Sequence, residues 1–322
     1  MHRRALLALL GLGAAGLSRA AEAQTPGRVY RLGILRPTAR DGTDRIVLTL
    51  RELGYVEGQS LVVEPRYADG KLDRLPALAR ELVKLRMDAL VSVGTAATRA
   101  AKAATSTIPI VMWGNLDPVA AGFVTSLARP GGNITGVLIA SEGTLAGKKL
   151  ELLKEAVPRA GRIGLLVPDD PNIQAQVQEA EKAASSLSVG LVVATVRRGD
   201  YGQAFAALTA ERAQALFVAA TTYFVTDRKR IIELAAKHRL PAIYEWPDQV
   251  EDGGLMAYGS NLTVLVRRVA GYVDQIFKGA RAGDLPIEQP TTFELAINLK
   301  TARALGLTLP PALLARADRV IE

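Results

Sequence analysis

The most chemically suggestive stretch of the 322-residue sequence is Gly94-Thr95-Ala96-Ala97-Thr98. It follows the apolar run Ala89–Val93 and opens a helical period. The first backbone N–H groups of such a helix have no intrahelical partner, and here the Thr95 hydroxyl stands beside them. That combination can seat a carboxylate. Asn115-Leu116-Asp117-Pro118 occupies an equivalent place after another apolar run, and the Asp117 carboxylate can pair with an ammonium group. Pro37-Thr38, Asp169-Asp170-Pro171-Asn172, Thr221-Thr222-Tyr223 and Glu245-Trp246-Pro247 follow further apolar runs in the same way. Tyr223, Trp246 and Trp113 offer flat apolar walls. The candidate ligand-binding residues are therefore Thr38, Gly94, Thr95, Ala96, Asp117, Asp169, Asn172, Thr221, Thr222, Tyr223, Glu245 and Trp246. Plain structural roles are open to several of them. Thr95 and Thr221 can cap helices, Asp117-Pro118 can be a helix start, and Trp246 can be core.

Much other chemistry is excluded by composition. There is no cysteine, and of the two histidines only His238 lies outside the first residues. Zinc sites, Cys–His pairs and Ser-His-Asp triads therefore lack their parts. His238 sits in Lys237-His238-Arg239 at a helix end, where a cation complements the helix dipole. Asp169-Asp170 reads as a turn and Glu151/Glu155 as an i, i+4 pair on a helix surface, so neither makes an acid/base site or a metal cluster. No P-loop occurs. Asn133-Ile134-Thr135 and Asn261-Leu262-Thr263 fit the glycosylation sequon but are discounted in a bacterial export context. No cofactor or metal is expected.

That export context comes from the start of the chain. Arg3 and Arg4 precede an uncharged run from Ala5 to Leu17, and Ala21-Glu22-Ala23 has the small-x-small form of a signal-peptidase site. Residues 1–23 are thus expected to be a signal peptide, leaving Gln24 as the new N-terminus. Both the ordinary secretory route and the twin-arginine route fit. The run is too short for a stable membrane span, which needs about 20 residues. Gly11, Gly13 and Gly16 match G-x-G-x-x-G, but they lie inside this leader and precede no strand–helix unit. Without cysteine the mature chain carries neither disulfide nor lipid anchor, which points to a periplasm.

Removing the leader lowers the net charge from +8 to +6 over 299 residues. That length suits two domains of about 150 residues. The basic residues are scattered in ones and twos, with the densest group at Arg228-Lys229-Arg230, so no nucleic-acid surface is expected.

The residues that could do chemistry must be positioned by alternating strands and helices. Val29–Leu35, Ala89–Val93, Ile108–Trp113, Arg162–Val167, Ala215–Ala219 and Leu240–Tyr244 are short and apolar on both faces, as strands covered by helices on both sides are. Between them, Leu75, Leu78, Leu82 and Leu85 line one helix face behind a cap at Asp73. Ile173, Val177, Ala180, Ala184 and Leu187 line a second. Leu262, Leu265, Val266, Val269, Val273, Ile276 and Phe277 line a third after a cap at Asn261. The pattern predicts parallel sheets of right-handed βαβ units. The two halves also resemble each other, since Arg31-Leu32-Gly33-Ile34-Leu35-Arg36-Pro37 aligns with Arg162-Ile163-Gly164-Leu165-Leu166-Val167-Pro168 at an offset of 131. Two Rossmann-like α/β lobes are expected, joined near Val137–Ser141. In open parallel sheets ligands bind beyond the carboxyl ends of the strands, so all the candidate turns ring one cleft between the lobes.

Longer phrases of the sequence match a known family. They are Leu50-Arg51-Glu52-Leu53-Gly54-Tyr55-Val56-Glu57-Gly58-Gln59, Asp73-Arg74-Leu75-Pro76-Ala77-Leu78-Ala79, Thr107-Ile108-Pro109-Ile110-Val111 and Asp117-Pro118-Val119. Next come Leu127-Ala128-Arg129-Pro130-Gly131-Gly132-Asn133-Ile134-Thr135-Gly136, Gly253-Gly254-Leu255-Met256-Ala257-Tyr258-Gly259 and Phe293-Glu294-Leu295-Ala296-Ile297-Asn298-Leu299-Lys300-Thr301-Ala302. Together they resemble the substrate-binding proteins of ABC importers of the tryptophan/tyrosine type. The resemblance implies a type I periplasmic-binding fold with three crossovers and a ligand enclosed by hinge closure. It places residues 28–138 plus about 259–280 in the N-terminal lobe, and 139–258 plus about 281–322 in the other. The expected function is a periplasmic receptor that captures a small carboxylate, an amino acid and possibly an aromatic one, and passes it to a membrane permease. A monomer without catalytic activity or membrane anchor is expected. A sensory binding protein of the same fold is the alternative, and an α/β enzyme a more distant one.

Overall fold

The computed structural model describes residues 28–38, 44–114, 117–139, 145–197 and 199–322. The expected leader, Asn115, Leu116 and the second half of the Val137–Ser141 joint lie outside the described residues. Two sheets organise the chain. The first holds β1 (Tyr30–Arg36), β2 (Leu61–Tyr67), β3 (Ala89–Val93), β4 (Ile110–Gly114) and β5 (Ile134–Leu138), in the order β2-β1-β3-β4-β5 and parallel throughout. The second holds β6 (Arg162–Pro168), β7 (Gly190–Val196), β8 (Ala215–Val218), β9 (Ala242–Tyr244), β10 (Met256–Gly259), β11 (Glu294–Asn298) and β12 (Arg319–Ile321), in the order β12-β11-β10-β9-β8-β6-β7. Every residue of β3 and β4 is buried, as continuous apolar strands between two helix layers must be.

The connecting helices are α1 (Arg45–Glu52), α2 (Leu75–Lys84), α3 (Thr95–Ala104), α4 (Ala146–Ala156), α5 (Gln174–Ser186), α6 (Tyr201–Ala210), α7 (Thr222–Thr226), α8 (Arg228–Lys237), α9 (Pro247–Glu251) and α10 (Leu262–Phe277). The Asn261 side chain caps α10 as expected, accepting from the N–H groups of Thr263 and Val264 at 3.0 and 3.1 Å. The expected cap at Asp73 does not form. Asp73 lies inside a 3₁₀ turn, Leu72–Arg74, that feeds directly into α2.

The internal repeat has a structural counterpart. Leu32 and Gly33 of β1 stand beside Ala89 and Leu90 of β3, while Ile163 and Gly164 of β6 stand beside Ala215 and Leu216 of β8. The two glycines do the same job. A Cβ at Gly33 would come 2.5 Å from Leu90 Cδ2, and one at Gly164 would come 2.3 Å from Leu208 Cδ2. In each half a leucine fills the space that the missing side chain leaves.

Parallel pairing holds except at one place, where β10 and β11 run antiparallel. The exception follows from the crossovers. The long helix α10 leaves the second sheet after β10 and buries Leu265, Val269, Val273 and Phe277 with Leu32, Ile34, Val91 and Val111 of the first. The chain then runs along the first sheet's edge, where Gly283 O accepts from Gly131 N–H at 3.0 Å and Glu288 bridges to Val137. Its return to the second sheet falls between Glu288 and Glu294.

Candidate functional site

In both sheets the strand order reverses beside the first strand of the half: β1 has β2 on one side and β3 on the other, and β6 has β7 and β8. Crevices at such switch points, beyond the strands' carboxyl ends, are where open α/β sheets bind ligands. Two contacts show that these ends face each other across the lobes. Arg45, at the start of α1, pairs with Asp248 of α9 at 2.6 Å. Thr38, just past β1, lies with its hydroxyl 3.2 Å from that of Thr226 at the end of α7.

Thr38, Gly94, Thr95 and Ala96 are half-buried at the carboxyl ends of β1 and β3. Gly94 N–H donates to Trp113 O at 2.8 Å, which holds the β3 and β4 turns together. The α3 start has no side-chain cap, so Thr95 does not serve as one. Asp117 is exposed, and its Oδ1 already accepts from Val119 and Ala120 N–H groups at 2.9 and 3.0 Å. Those bonds support the turn role for it.

On the second lobe, Asp169 is exposed at the end of β6, and Asn172 lies in the short turn Pro171–Ile173. Thr221 caps α7 by accepting from Phe224 N–H at 3.2 Å, and Thr222 is the first residue of that helix. Tyr223 is half-buried. Burial, with the Asp170 carboxylate adding to it, pushes its phenol up to about 12, so the ring stays neutral.

The last two candidates are the most deeply buried. Glu245 is 2% exposed and pairs with Lys149 of α4, which is equally buried. Burial pulls the Lys149 ammonium below the ordinary lysine range, and the nearby Glu179 carboxylate opposes this. Contact with Glu245 opposes it too. Trp246 follows β9 of the second sheet, yet it is buried in the first lobe's cluster with Trp113, Val137 and Ile139. Its backbone is fixed by Gln249, whose side-chain oxygen accepts from Trp246 N–H at 3.0 Å.

Four buried polar atoms at these strand ends have no hydrogen-bond partner in the protein: Arg36 Nε, Trp113 Nε1, Trp246 Nε1 and Glu245 Oε1. Such orphans are costly to bury, and each calls for an explanation, with a bound water, an ion or a ligand as partner among them. Arg36 is not among the residues that the sequence singles out. It is 6% exposed, its guanidinium lies over the Trp113 ring at 5.9 Å, and Asp44 holds its Nη2. A polar recess of about 210 Å³ is lined by Arg45, Asp248, Glu251, Asn261, Glu294 and Arg319. Its groups satisfy one another, since Arg319 pairs with Glu251 and Asn261 Nδ2 donates to Glu294 at 2.8 Å.

Residues 34–321, nearly all of the described chain, match the model of the ABC transporter substrate binding protein family. The chain belongs to that family. A curated relative, the tyrosine-binding protein of Clostridioides difficile (strain R20291), is 26% identical over 263 residues, 81% of this chain and 75% of the relative. Among solved structures, a conserved domain protein from Vibrio cholerae superposes with a TM-score of 0.81 at 27% identity, over 91% of this substrate-binding chain and all of that one. An ABC domain in complex with L-Trp from Streptococcus pneumonia does so with a TM-score of 0.77 at 26% identity and the same coverage. No described helix of this substrate-binding protein is long and apolar enough to cross a membrane.

Proposed function

We propose that this substrate-binding protein is the extracytoplasmic receptor of an ABC importer for an aromatic amino acid, binding it between the lobes without turnover. The observation that carries the reading is the placement of the two indoles. Trp113 comes from the first lobe and Trp246 from the second, and both are buried in one cluster with their ring N–H groups unpartnered. An aromatic side chain stacks on such walls at about 0.5–1.5 kcal/mol beyond its area burial, and the free donors select a ligand that also carries acceptors. The relatives named for tyrosine and for L-Trp support the same class.

Closure by the Arg45–Asp248 and Thr38–Thr226 contacts would present one defined surface to the permease, while the open form would not. Export through the residue 1–23 leader and a periplasmic location complete the proposal. Native mass spectrometry of the protein as purified tests it. A retained mass of tyrosine, tryptophan or a close relative, displaced by added tryptophan, supports the reading. A retained sugar or inorganic anion that tryptophan does not displace overturns it.

A further inference from the structure

We infer that Arg36, together with the indole N–H groups of Trp113 and Trp246, forms the anchor for the carboxylate of the bound amino acid; this rests on the receptor reading above. Three of the four orphaned atoms at the strand ends are donors, and all three belong to side chains at least nine-tenths buried. Donors left without a protein acceptor call for a ligand group with several acceptor oxygens and no hydrogen to donate, which describes a carboxylate.

The position fits that role. Arg36 ends β1, the strand at the first sheet's switch point. Its guanidinium lies over the Trp113 ring, so the two side chains are neighbours. Asp44 takes only Nη2, and its other oxygen is engaged by Ile46 N–H at 2.9 Å at the start of α1. Asp44 thus fixes the guanidinium plane and leaves the Nε–H donor for the ligand. Trp246 adds a donor from the opposite lobe, so a carboxylate held by all three would pull the lobes together. The same α1 start carries Arg45, which reaches Asp248 of α9, two residues from Trp246. Seating the carboxylate and closing the lobes are then one event.

The anchor differs from the helix start at Gly94-Thr95-Ala96, where the sequence alone would seat the carboxylate. That helix start offers backbone N–H groups, whereas Arg36 and the indoles offer buried side-chain donors that have no acceptor in the protein.

Calorimetric titration with tryptophan and with tryptamine, its decarboxylated form, tests the anchor. Wild type should bind tryptophan and bind tryptamine far more weakly. Trp113→Phe, which leaves the Arg36–Asp44 pair in place, should weaken tryptophan binding by about tenfold, the scale of one charge-assisted hydrogen bond. Arg36→Gln combined with Asp44→Asn, which avoids stranding a buried carboxylate, should weaken it by about ten- to a hundredfold. The Arg36→Gln/Asp44→Asn change should not reduce what little tryptamine binding there is. Equal losses for both compounds, or wild type binding tryptamine as well as tryptophan, would overturn the anchor and leave the receptor reading standing. Wild type binding neither compound, nor tyrosine, would overturn both.

Discussion

Arg45 and Asp248 lie 2.6 Å apart although they belong to helices of different lobes, α1 and α9. Both side chains keep partial access to solvent, 38% for Arg45 and 25% for Asp248. An exposed pair of this kind contributes about 0.2–1 kcal/mol and is screened by salt. Asp248→Asn should therefore weaken ligand binding by up to about fivefold at low ionic strength, and the difference should shrink towards nothing at high salt. Calorimetry at two salt concentrations checks this. A loss independent of salt would mean that Asp248 acts through the α9 turn and not through the lobe-to-lobe pair.

The Lys149–Glu245 pair behaves differently because it is buried on both sides. Removing one partner strands a charge, at a cost of about 3–5 kcal/mol. Lys149→Met should accordingly unfold at markedly lower denaturant concentration. Adding Glu245→Leu should restore most of the stability, since apolar replacements of a buried pair are often neutral or better. Equilibrium denaturation of the single and double variants measures both, and a double variant no more stable than the single would refute the pairing argument.

At the end of β10, a Cβ on Gly259 would fall 2.0 Å from the Glu245 carbonyl oxygen, which is backbone and cannot swing away. Gly259→Ala should thus cost about 1–3 kcal/mol through forced backbone shifts. Gly271, inside α10, is the counterpart, with no heavy atom within 4 Å of the position a Cβ would take. Gly271→Ala should stabilise by up to about 1 kcal/mol through helix propensity. Thermal melts of the two variants should move in opposite directions.

Asp117 gives a prediction in contrast to the buried groups. Its Oδ1 is spent on the turn and the residue is exposed. An ion pair to a ligand ammonium there would be worth about 0–1 kcal/mol. Asp117→Ala should then change tryptophan affinity by less than about fivefold, measured by calorimetry. A fiftyfold loss would restore Asp117 as the ammonium partner that the sequence suggests.

How far the sequence could be read depended on what each residue type leaves visible. Strands buried on both faces, such as Ala89–Val93, stand out as unbroken apolar runs, and Gly33 and Gly164 mark the repeat because only glycine fits under the facing leucine. The edge strand β2 was illegible, because Glu64, Pro65 and Arg66 interrupt it and its residues are mostly half-exposed. Strands β11 and β12 follow the last crossover and belong to no repeat, so the βαβ rhythm gives no cue for them. In the site, turns after strands were found because Thr, Asp and Asn advertise helix starts. Arg36 was hidden by being the last residue of an apolar strand, although a charged residue there is itself a signal. Lys149 was hidden by its neighbour, since Lys148-Lys149 looks like a solvated face. Yet Ala146, Lys149, Leu150, Leu153 and Ala156 share one helical face, and that spacing predicts the burial that is found.

Binding of an aromatic amino acid between Trp113 and Trp246 can be followed by tryptophan fluorescence during titration. These are the only two tryptophans in the chain, so the emission reports on the proposed site alone. Saturable, one-to-one changes in emission on adding tyrosine, absent when glycine or a sugar is added and reduced in Trp246→Phe, are expected. Binding of tyrosine, detected independently by calorimetry, that leaves the emission of both indoles unchanged would contradict binding between the two tryptophans.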